Sequence, residues 1–245
     1  RQFNQFGIEA FGSSNIEQDV EVIMIAATCL KTLKINETTL HVNNIGSSET
    51  RTQYEELLKK YFTQNISSLS SLSKKRLETN PIRILDSKEQ EDQSIIKNAP
   101  IIKELLTDSE KEDFNMLLSN LDTLNIKYEE SPYLVRGLDY YNGTTFEITT
   151  RSNKSQNALC GGGRYDFLVE QMGGPSTPAI GFAAGMERMI IESQYQVEKN
   201  SIDIYISSND LNHSRKCFTV MQNLINNNYT VFFDTNKKNV KNQMK

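Results

Sequence analysis

The sequence predicts an α+β protein built on an antiparallel sheet with helices on its outside. Strand-like runs at 133–136 and 144–149 flank Asn142-Gly143, a dipeptide typical of two-residue hairpin turns, and hairpins pair strands antiparallel. Residues 48–130 have the spacing and composition of helices instead. After residue 200 the order becomes β-α-β, which predicts a parallel pair of strands and therefore the start of an α/β unit.

The first 47 residues predict a strand, a helix and a second strand. Residues 3–11 are rich in aromatic side chains, 20–33 place apolar residues at near-helical spacing, and 38–43 form a short β-type run. Ser47-Ser48, after Gly46, has the position of an N-cap for a new helix that runs to Tyr61, because a serine hydroxyl can accept from a free amide of the first turn.

Residues 48–130 are interpreted as a mainly helical insertion, with a helical part of the same domain as the alternative. The segment contains 16 acidic and 12 basic residues, so it carries the whole acidic excess of the chain. Ser109 to Glu112 has the sequence of a capping box, in which two side chains satisfy each other's free amides. The helix behind it has one apolar face. That face consists of Phe114, Leu117, Leu118, Leu121 and Leu124.

The remaining elements alternate between strands and short helices. The apolar residues 158–160 lead into three glycines, and small residues precede a helix start at Met186. The predicted elements are a helix at 166–172, a strand at 180–184, a helix from 186 to 191, strands at 202–206 and 229–233, and a helix at 212–226.

The composition is that of an ordinary globular protein and excludes several classes. Of 245 residues, 37% are hydrophobic and 24% charged, and no apolar stretch approaches the ~20 residues of a membrane helix. A net charge of −4 and a pI of about 5.4 argue against a general nucleic-acid coat, although a local patch can still hold a specific RNA.

Cysteine and histidine content indicates a reducing compartment and no zinc centre. Cys29, Cys160 and Cys217 are far apart and form no C-x-x-C pair, which is typical of free thiols in the cytoplasm. The sequence has two histidines, His41 and His213, without His or Cys neighbours at ligand spacing, so a zinc site is not expected.

The two ends of the sequence predict a longer parent protein. Residue 1 is an Arg within a polar-aromatic run that has no signal-peptide pattern. Two strands and one helix after residue 200 are too few to close a stable domain. We therefore expect the chain to be truncated at both ends.

Four segments are dense in reactive or conformationally special residues. If 3–11 is a strand, Gln5, Gly7 and Glu9 share one face, which suits a small polar ligand or else is the solvated face of an edge strand. Residues 136–141 combine an Arg, an Asp and two Tyr, which can bind an anion or simply form a salt-bridged hairpin.

The other two segments are rich in glycine. Gly161 to Asp166 lacks the Lys-Ser/Thr of a phosphate-binding loop, but its glycines suit the floor of a buried substrate site. Gly181 to Arg188 runs into a helix start, where Arg188 can hold a triphosphate or pair with Glu187 or Glu192. No nucleophile–histidine pair is evident. Spacing alone therefore indicates an anion and polar-ligand site on a sheet, without naming the ligand.

In this order the four segments resemble the histidyl-tRNA synthetase family. The similarity also includes Asn80-Pro81-Ile82-Arg83-Ile84-Leu85-Asp86 and so extends over the whole chain. The matching segments are 136–141 with 144–147 for the first histidine motif, 162–166 for the second, 181–188 for motif 3 of class II synthetases, and 1–12 for the second half of motif 2.

The resemblance implies the class II synthetase fold, an antiparallel sheet with helices, a helical insertion and the start of an α/β anticodon-binding domain. The implied domains are 1–47 and 131–197 for the two parts of the catalytic core, 48–130 for the mainly helical insertion, and 198–245 for a partial anticodon-binding domain.

The resemblance also implies a reaction and its residues. Histidine would be activated with ATP to histidyl-adenylate and transferred to the 3′ end of tRNA(His). Gln5, Glu9, Tyr141 and Tyr165 would line the histidine pocket, where Glu9 and Tyr141 contact the imidazole. Arg136 would be catalytic, bridging the histidine carboxylate and the α-phosphate.

For ATP, the resemblance implies that Phe3 stacks on adenine and Arg188 holds the γ-phosphate. The nucleotide would enter with Mg²⁺ as a substrate-bound metal, with no protein ligand to the metal identified. The insertion would face the acceptor arm of the tRNA. The full-length protein would be a cytoplasmic homodimer without a membrane partner.

The sequence departs from the family pattern at several points. It contains neither motif 1, the dimer element, nor the earlier half of motif 2, and Phe167 stands where Gly is usual. The missing segments put the activity of this span alone in doubt. A separate, alternative function is that of a non-catalytic, synthetase-like regulatory subunit of histidine biosynthesis. Such paralogues lose parts of the histidine motifs, whereas Arg136, Tyr141, Tyr165 and Arg188 are all present here.

Overall fold

A computed structural model describes residues 2–136, 140–151, 157–195, 202–208, 213–233 and 242. The chain divides into two compact units, with the boundary after Tyr195. The first unit contains a six-stranded sheet and seven α-helices in its described residues, and the second contains a two-stranded sheet and one long helix. None of the helices in the described ranges has the length and apolarity needed to cross a bilayer.

The sheet of the first unit is mainly antiparallel, as the sequence predicts. Its strand order is β1-β6-β5-β4-β2-β3, and the one parallel pair among the described strands of this sheet is β2 with β3. The strands are β1 (Gln5–Phe11), β2 (Thr38–Asn44), β3 (Tyr128–Glu130), β4 (Asn142–Thr150), β5 (Ala158–Arg164) and β6 (Ala179–Gly185).

Two of the helices pack against the sheet, and three of the others lie between β2 and β3 in the chain. The α-helices are α1 (Ile16–Thr32), α2 (Ser48–Gln64), α3 (Ser71–Thr79), α4 (Gln90–Ile96), α5 (Asp108–Thr123), α6 (Leu168–Gln171) and α7 (Met186–Glu192). Short 3₁₀ turns lie at Ile66–Ser68, Pro81–Ile84 and Ile102–Glu104. Ser47 caps α2 as predicted, since its hydroxyl accepts from the amide of Thr50.

One face of the sheet is buried under α1 and α5. The apolar residues of these helices form a single cluster with Val42, Phe146 and Ile180 from the strands. Along β1, alternate residues such as Ile8 pack against this cluster, whereas Gln5, Gly7 and Glu9 are exposed on the opposite face. The predicted shared face of these three residues is confirmed, because strand side chains alternate.

A second apolar cluster joins α2 to the region of the sheet near Tyr141 and Tyr165. Tyr54, Leu58 and Phe62 from α2 are almost fully buried in it. Tyr141, Tyr165 and Ala179 belong to the same cluster. The helices that follow β2 therefore pack directly beside residues predicted to bind a ligand.

A buried carboxylate fixes the middle of this helical segment. Asp92 is fully buried and accepts hydrogen bonds from the amide and hydroxyl of Ser70, both at 2.8 Å. The hydroxyls of Ser73 and Ser87 donate to it at 2.6 and 2.5 Å. Burial raises the pKa of Asp92, but these hydrogen bonds outweigh it and the net pKa is lowered.

The predicted hairpin at Asn142-Gly143 is wrong. Both residues begin β4, and residues 133–136 are not a strand. Gly143 exchanges backbone hydrogen bonds at 2.8 Å with Ile45 and Gly46, where the chain leaves β2. The Asn142 side chain donates to Asp166 at 3.0 Å and accepts from its amide at 2.7 Å. Long-range pairing has overridden the local turn preference.

Two smaller sequence predictions also need correction. The capping box of α5 is formed by Thr107 and Glu110, two residues before the predicted start at Ser109. Of the predicted apolar face, Leu124 is exposed because it lies past the helix end, while the other four residues are buried. The helix predicted at 166–172 covers only Leu168–Gln171.

The second unit contains the predicted β-α-β order. Strands β7 (Ile204–Ile206) and β8 (Val231–Phe233) pair in parallel, and α8 (Ser214–Asn226) lies between them in the chain. Phe218 of α8 packs edge-on against Phe233, with ring centroids 5.5 Å apart.

Candidate active site

The exposed face of the sheet has a floor of small residues. Two rows of paired residues cross four neighbouring strands. The first row is Glu9, Gly181, Gly163 and Thr145. The second row is Gly7, Ala183, Gly161 and Glu147. Each row contains small residues, so side chains from outside the sheet and a ligand can approach the backbone closely.

Glu9 is held against the floor at one end of the site. A Cβ on Gly181 would lie 1.7 Å from a Glu9 carboxylate oxygen, so this carboxylate rests directly on the Gly181 backbone. The hydroxyl of Tyr165 donates a hydrogen bond to the same carboxylate. The structure therefore brings together two residues, Glu9 and Tyr165, that are 156 positions apart in sequence and were both predicted to bind the amino acid.

Three tyrosines form an aromatic group beside Glu9. The ring centroid of Tyr140 lies 4.6 Å from that of Tyr141 and 5.8 Å from that of Tyr165. Burial raises the pKa of Tyr165, and the Glu9 carboxylate adds to the effect. Burial and the neighbouring Tyr140 likewise raise the pKa of Tyr141. Both hydroxyls therefore stay protonated at neutral pH and can donate hydrogen bonds.

Arg136 lies flat over the second row of the floor. A Cβ on Gly161 would lie 2.5–2.6 Å from the guanidinium atoms of Arg136, so the guanidinium contacts the bare backbone there. Its Nη1 donates to Glu147 Oε1 at 2.6 Å, while its Nε is buried without a hydrogen-bond partner among the described residues. Within the described ranges, Arg136 thus has one carboxylate partner and one donor without a partner. The ion pair with Glu147 fits a purely structural role for Arg136, and the position of the guanidinium on the sheet also fits the binding of an anion.

An open cleft of about 550 Å³ extends from Arg136 along the sheet. Phe3 and Gln5 line it from β1 and the residues before that strand, and Arg188 lines it from α7. The Phe3 ring is 69% exposed, so a planar ligand can stack on it without displacing the core. Of the predicted residues, Phe3, Gln5, Arg136 and Arg188 share this cleft, whereas Glu9, Tyr141 and Tyr165 are grouped beside it.

Arg188 is positioned at the start of α7. Its Nη1 donates to the backbone carbonyl of Ala158 at 2.6 Å. The neighbouring Glu187 accepts from the backbone and side chain of Asn4, at 3.0 and 2.7 Å. The start of α7 is therefore fastened to the residues that precede β1, near Phe3.

A buried charge network holds the chain on both sides of Tyr165. Arg164 is 6% exposed and forms an ion pair with Asp19 of α1 and another, at 3.0 Å, with Asp166. Burial alone would lower the pKa of Arg164. The hydrogen bond to Asp19 and the negative charge of that residue outweigh burial, so the pKa of Arg164 is raised. Because both neighbours of Tyr165 are fixed, its hydroxyl is held toward Glu9.

The structure adds residues that the sequence did not single out for these roles. Gly181 supports Glu9, and Gly161 supports Arg136. Arg51 of α2 reaches the backbone of Tyr141. These roles depend on strand register and on contacts across more than ten residues, so no local pattern revealed them.

The site can perform two kinds of chemistry at adjoining places. Around Glu9 the site can both accept hydrogen bonds from a small polar ligand and donate hydrogen bonds to it, because a carboxylate lies beside protonated tyrosine hydroxyls. Along the cleft it offers two guanidinium groups and an exposed aromatic ring. Guanidinium groups suit phosphate and carboxylate oxygens, and the ring suits a base.

A mainly antiparallel sheet with helices on one face and a glycine-lined site on the other is the architecture of class II aminoacyl-tRNA synthetases. The family model for histidyl-tRNA synthetase matches residues 1–189, and the chain belongs to that family. The family membership indicated by the motifs is thereby confirmed.

Individual relatives agree with this assignment. The chain is 43% identical over 247 residues to "Histidine--tRNA ligase, chloroplastic" of Gracilaria tenuistipitata var. liui, covering 100% of this chain and 59% of the relative. It is 44% identical over 211 residues to "Histidine--tRNA ligase" of Streptococcus thermophilus (strain CNRZ 1066), covering 84% of this chain and 50% of the relative.

A solved structure gives the same result for the fold. The crystal structure of apo S. aureus histidyl-tRNA synthetase superposes with a TM-score of 0.73 at 33% identity, covering 100% of this chain and 61% of that one. The chain therefore spans between 50% and 61% of the length of these three proteins.

Proposed function

We propose that the protein is a histidine–tRNA ligase, which activates histidine with ATP and transfers it to the 3′ end of tRNA(His). The proposal rests on one observation: a subsite suited to a small polar ligand lies next to a subsite suited to phosphates and a base. A carboxylate–tyrosine group at Glu9 lies beside a cleft lined by Arg136 and Arg188. An amino acid and a nucleotide triphosphate need these two environments.

The histidine pocket is assigned to Gln5, Glu9, Tyr141 and Tyr165. Glu9 accepts from one imidazole N–H, and the protonated Tyr141 hydroxyl pairs with the other ring nitrogen. Tyr165 closes the pocket and holds Glu9 in place, which its hydrogen bond to that carboxylate supports. A site built on buried hydrogen bonds discriminates strongly against ligands that leave those bonds unmade.

Arg136 is assigned to the reacting centre. Activation brings the histidine carboxylate, the nucleophile, onto the α-phosphate of ATP, and diphosphate leaves. Two anions must approach, and a guanidinium between them relieves their repulsion and stabilises the charge on the phosphate oxygens. The place of Arg136 in the cleft beside the Glu9 group supports this assignment, as does its Nε, which has no hydrogen-bond partner among the described residues.

The remaining residues of the cleft are assigned to ATP, which enters as its Mg²⁺ complex. Phe3 stacks on the adenine, and its high exposure supports this role. Arg188 holds the γ-phosphate from the start of α7, where the helix dipole also favours anions.

The wider organisation follows the same proposal. Residues 48–130 form the insertion that faces the tRNA acceptor arm, and 198–245 begin an anticodon-binding domain. The catalytic core comprises 1–47 and 131–197. The full-length protein works as a homodimer in the cytoplasm.

The experiment that tests the proposal is histidine-dependent exchange of labelled diphosphate into ATP by the full-length protein. We expect exchange that requires histidine and that other amino acids do not support. If the protein is instead a regulatory subunit, histidine should not support exchange of diphosphate into ATP. Absence of this exchange would overturn the proposal.

A further inference from the structure

The helix α2 begins on a rigid junction with the sheet. Backbone hydrogen bonds of 2.8 Å join Ile45 and Gly46 to Gly143 at the start of β4. Gly46 has a φ of +67°, and a Cβ there would lie 2.6 Å from the Thr50 side chain, so the first turn of α2 packs directly on this backbone. The junction therefore fixes where the helix starts relative to β4.

One carboxylate fixes the direction of the helix. Glu110 of α5 accepts from the amide of Ser47 at 2.6 Å and from the hydroxyl of Thr50 at 3.0 Å. The same carboxylate accepts from the amide of Thr107 at 2.8 Å and so caps α5 as well. Burial raises the pKa of Glu110, but these hydrogen bonds outweigh it and lower the net pKa, so it stays ionised at neutral pH.

Arg51 extends from this fixed first turn into the candidate site. Its Nη1 donates to the backbone carbonyl of Tyr141 at 2.7 Å, and its side chain is only 18% exposed. Glu55, one turn further along α2, lies 3.9 Å from the same guanidinium. Arg51 and Arg136 also line one small cavity of about 20 Å³. Arg51 therefore links α2 to the backbone of Tyr141, one of the residues assigned to the histidine pocket.

We propose that Arg51 is a positioning residue for the amino-acid pocket, holding the backbone of Tyr141 so that its ring packs against those of Tyr140 and Tyr165. This inference rests on the proposed function, because it assigns the pocket to histidine. Arg51 contacts the backbone carbonyl of Tyr141. It acts through Tyr141, and it makes the shape of the pocket depend on the placement of α2.

The test compares Arg51→Met with Lys59→Met in the full-length protein. Both variants remove one positive charge from α2, but Lys59 is exposed and far along the helix. Loss of a charge-assisted hydrogen bond within the protein shifts the equilibrium between the held and released backbone of Tyr141 by roughly tenfold or more, and histidine binding weakens by up to that factor. We expect Arg51→Met to raise the histidine KM by about that factor, with the ATP KM within about twofold of wild type. Lys59→Met should match wild type in both.

A second variant and an amide hydrogen-exchange experiment test the role of Arg51 independently of the first comparison. If Arg51→Met does not fold, Arg51→Gln removes the charge and shortens the side chain, and the same selective rise in histidine KM is expected. Amide hydrogen exchange at residues 142–147 should become faster in the Arg51 variant and stay unchanged in Lys59→Met.

The outcomes separate this inference from the proposed function. An unchanged histidine KM, an equal rise in both KM values, or unchanged exchange at 142–147 overturns the role of Arg51. A wild-type protein that shows no histidine-dependent exchange of diphosphate overturns the proposed function instead. The amide-exchange comparison still decides whether Arg51 holds the backbone of Tyr141.

Discussion

Replacing Gly161 by Ala tests whether the position of the Arg136 guanidinium matters for the reaction. The added methyl group would lie 2.5 Å from the guanidinium carbon, whereas ordinary contact begins at 3.4 Å. The guanidinium must therefore move by about 0.9 Å. The obstructed atoms are the far end of a flexible side chain, so the sheet itself is not forced apart.

The displacement should reduce the rate far more than the stability. Misplacing a catalytic group by about 1 Å costs up to roughly 10²-fold in rate. We therefore expect Gly161→Ala to lower kcat for histidyl-adenylate formation by about 10- to 100-fold. Its melting temperature should change by only a few degrees, since Ala restricts the unfolded chain slightly more than Gly.

Two neighbouring glycines provide the controls. A Cβ on Gly185 would make ordinary contact at 3.6 Å with the aliphatic part of Arg188, so Gly185→Ala should fold like wild type and leave the Arg136 guanidinium in place. A Cβ on Gly162 would lie 2.0 Å from the carbonyl oxygen of Gly181, so Gly162→Ala should unfold the sheet. A Gly161→Ala protein with wild-type adenylate formation would refute the reasoning.

Three further predictions concern specificity, pH and packing. Glu9→Ala should raise the histidine KM far more than the ATP KM, by roughly 10- to 100-fold for the loss of a hydrogen bond to a charged group, whereas equal effects in steady-state kinetics would refute the pocket assignment. The hydrogen bonds that lower the pKa of Asp92 stabilise the fold above the unfolded-state pKa of about 3.9. In urea titrations at pH 7, Asp92→Asn should lower the free energy of unfolding by about 1–3 kcal/mol relative to wild type. This difference should shrink as the pH falls below about 4, and a difference that does not depend on pH would contradict the assignment. The buried Thr145 hydroxyl has no hydrogen-bond partner among the described residues, so Thr145→Val should leave the melting temperature equal or higher, and a clear decrease would show an unseen partner.

Elements with strong local signals were predictable from the sequence. Helix α1, strand β1 and the Ser47 cap of α2 depend on periodicity and on capping chemistry that act within a few residues. The shared face of Gln5 and Glu9 follows from strand alternation alone, because residues two and four positions apart in a strand point the same way.

Features that depend on distant pairing were not predictable. Asn142 and Gly143 form a strong turn signal, yet they pair with Gly46 and Asp166 in the fold. The role of Gly161 depends on where Arg136 arrives from outside the sheet, which composition does not reveal.

The ligand could be predicted from the sequence only in part. The residue types predicted a site for an anion and a small polar ligand. Only the resemblance of the motifs to a family predicted that the polar ligand is histidine. Arg51 shows the limit of both approaches. It lies in an ordinary helical stretch, and its connection to Tyr141 depends on a contact 90 residues away.

The most direct test of the account is pre-steady-state formation of histidyl-adenylate by the full-length protein and its Arg136→Ala variant, measured beside a melting curve. The account predicts that adenylate formation slows by ~10²-fold or more, the scale for losing one transition-state donor, while the melting temperature changes little. Transfer to tRNA from preformed adenylate should suffer less. A lower melting temperature with a near-wild-type rate in the folded fraction would contradict it, since Arg136 would then serve only to pair with Glu147.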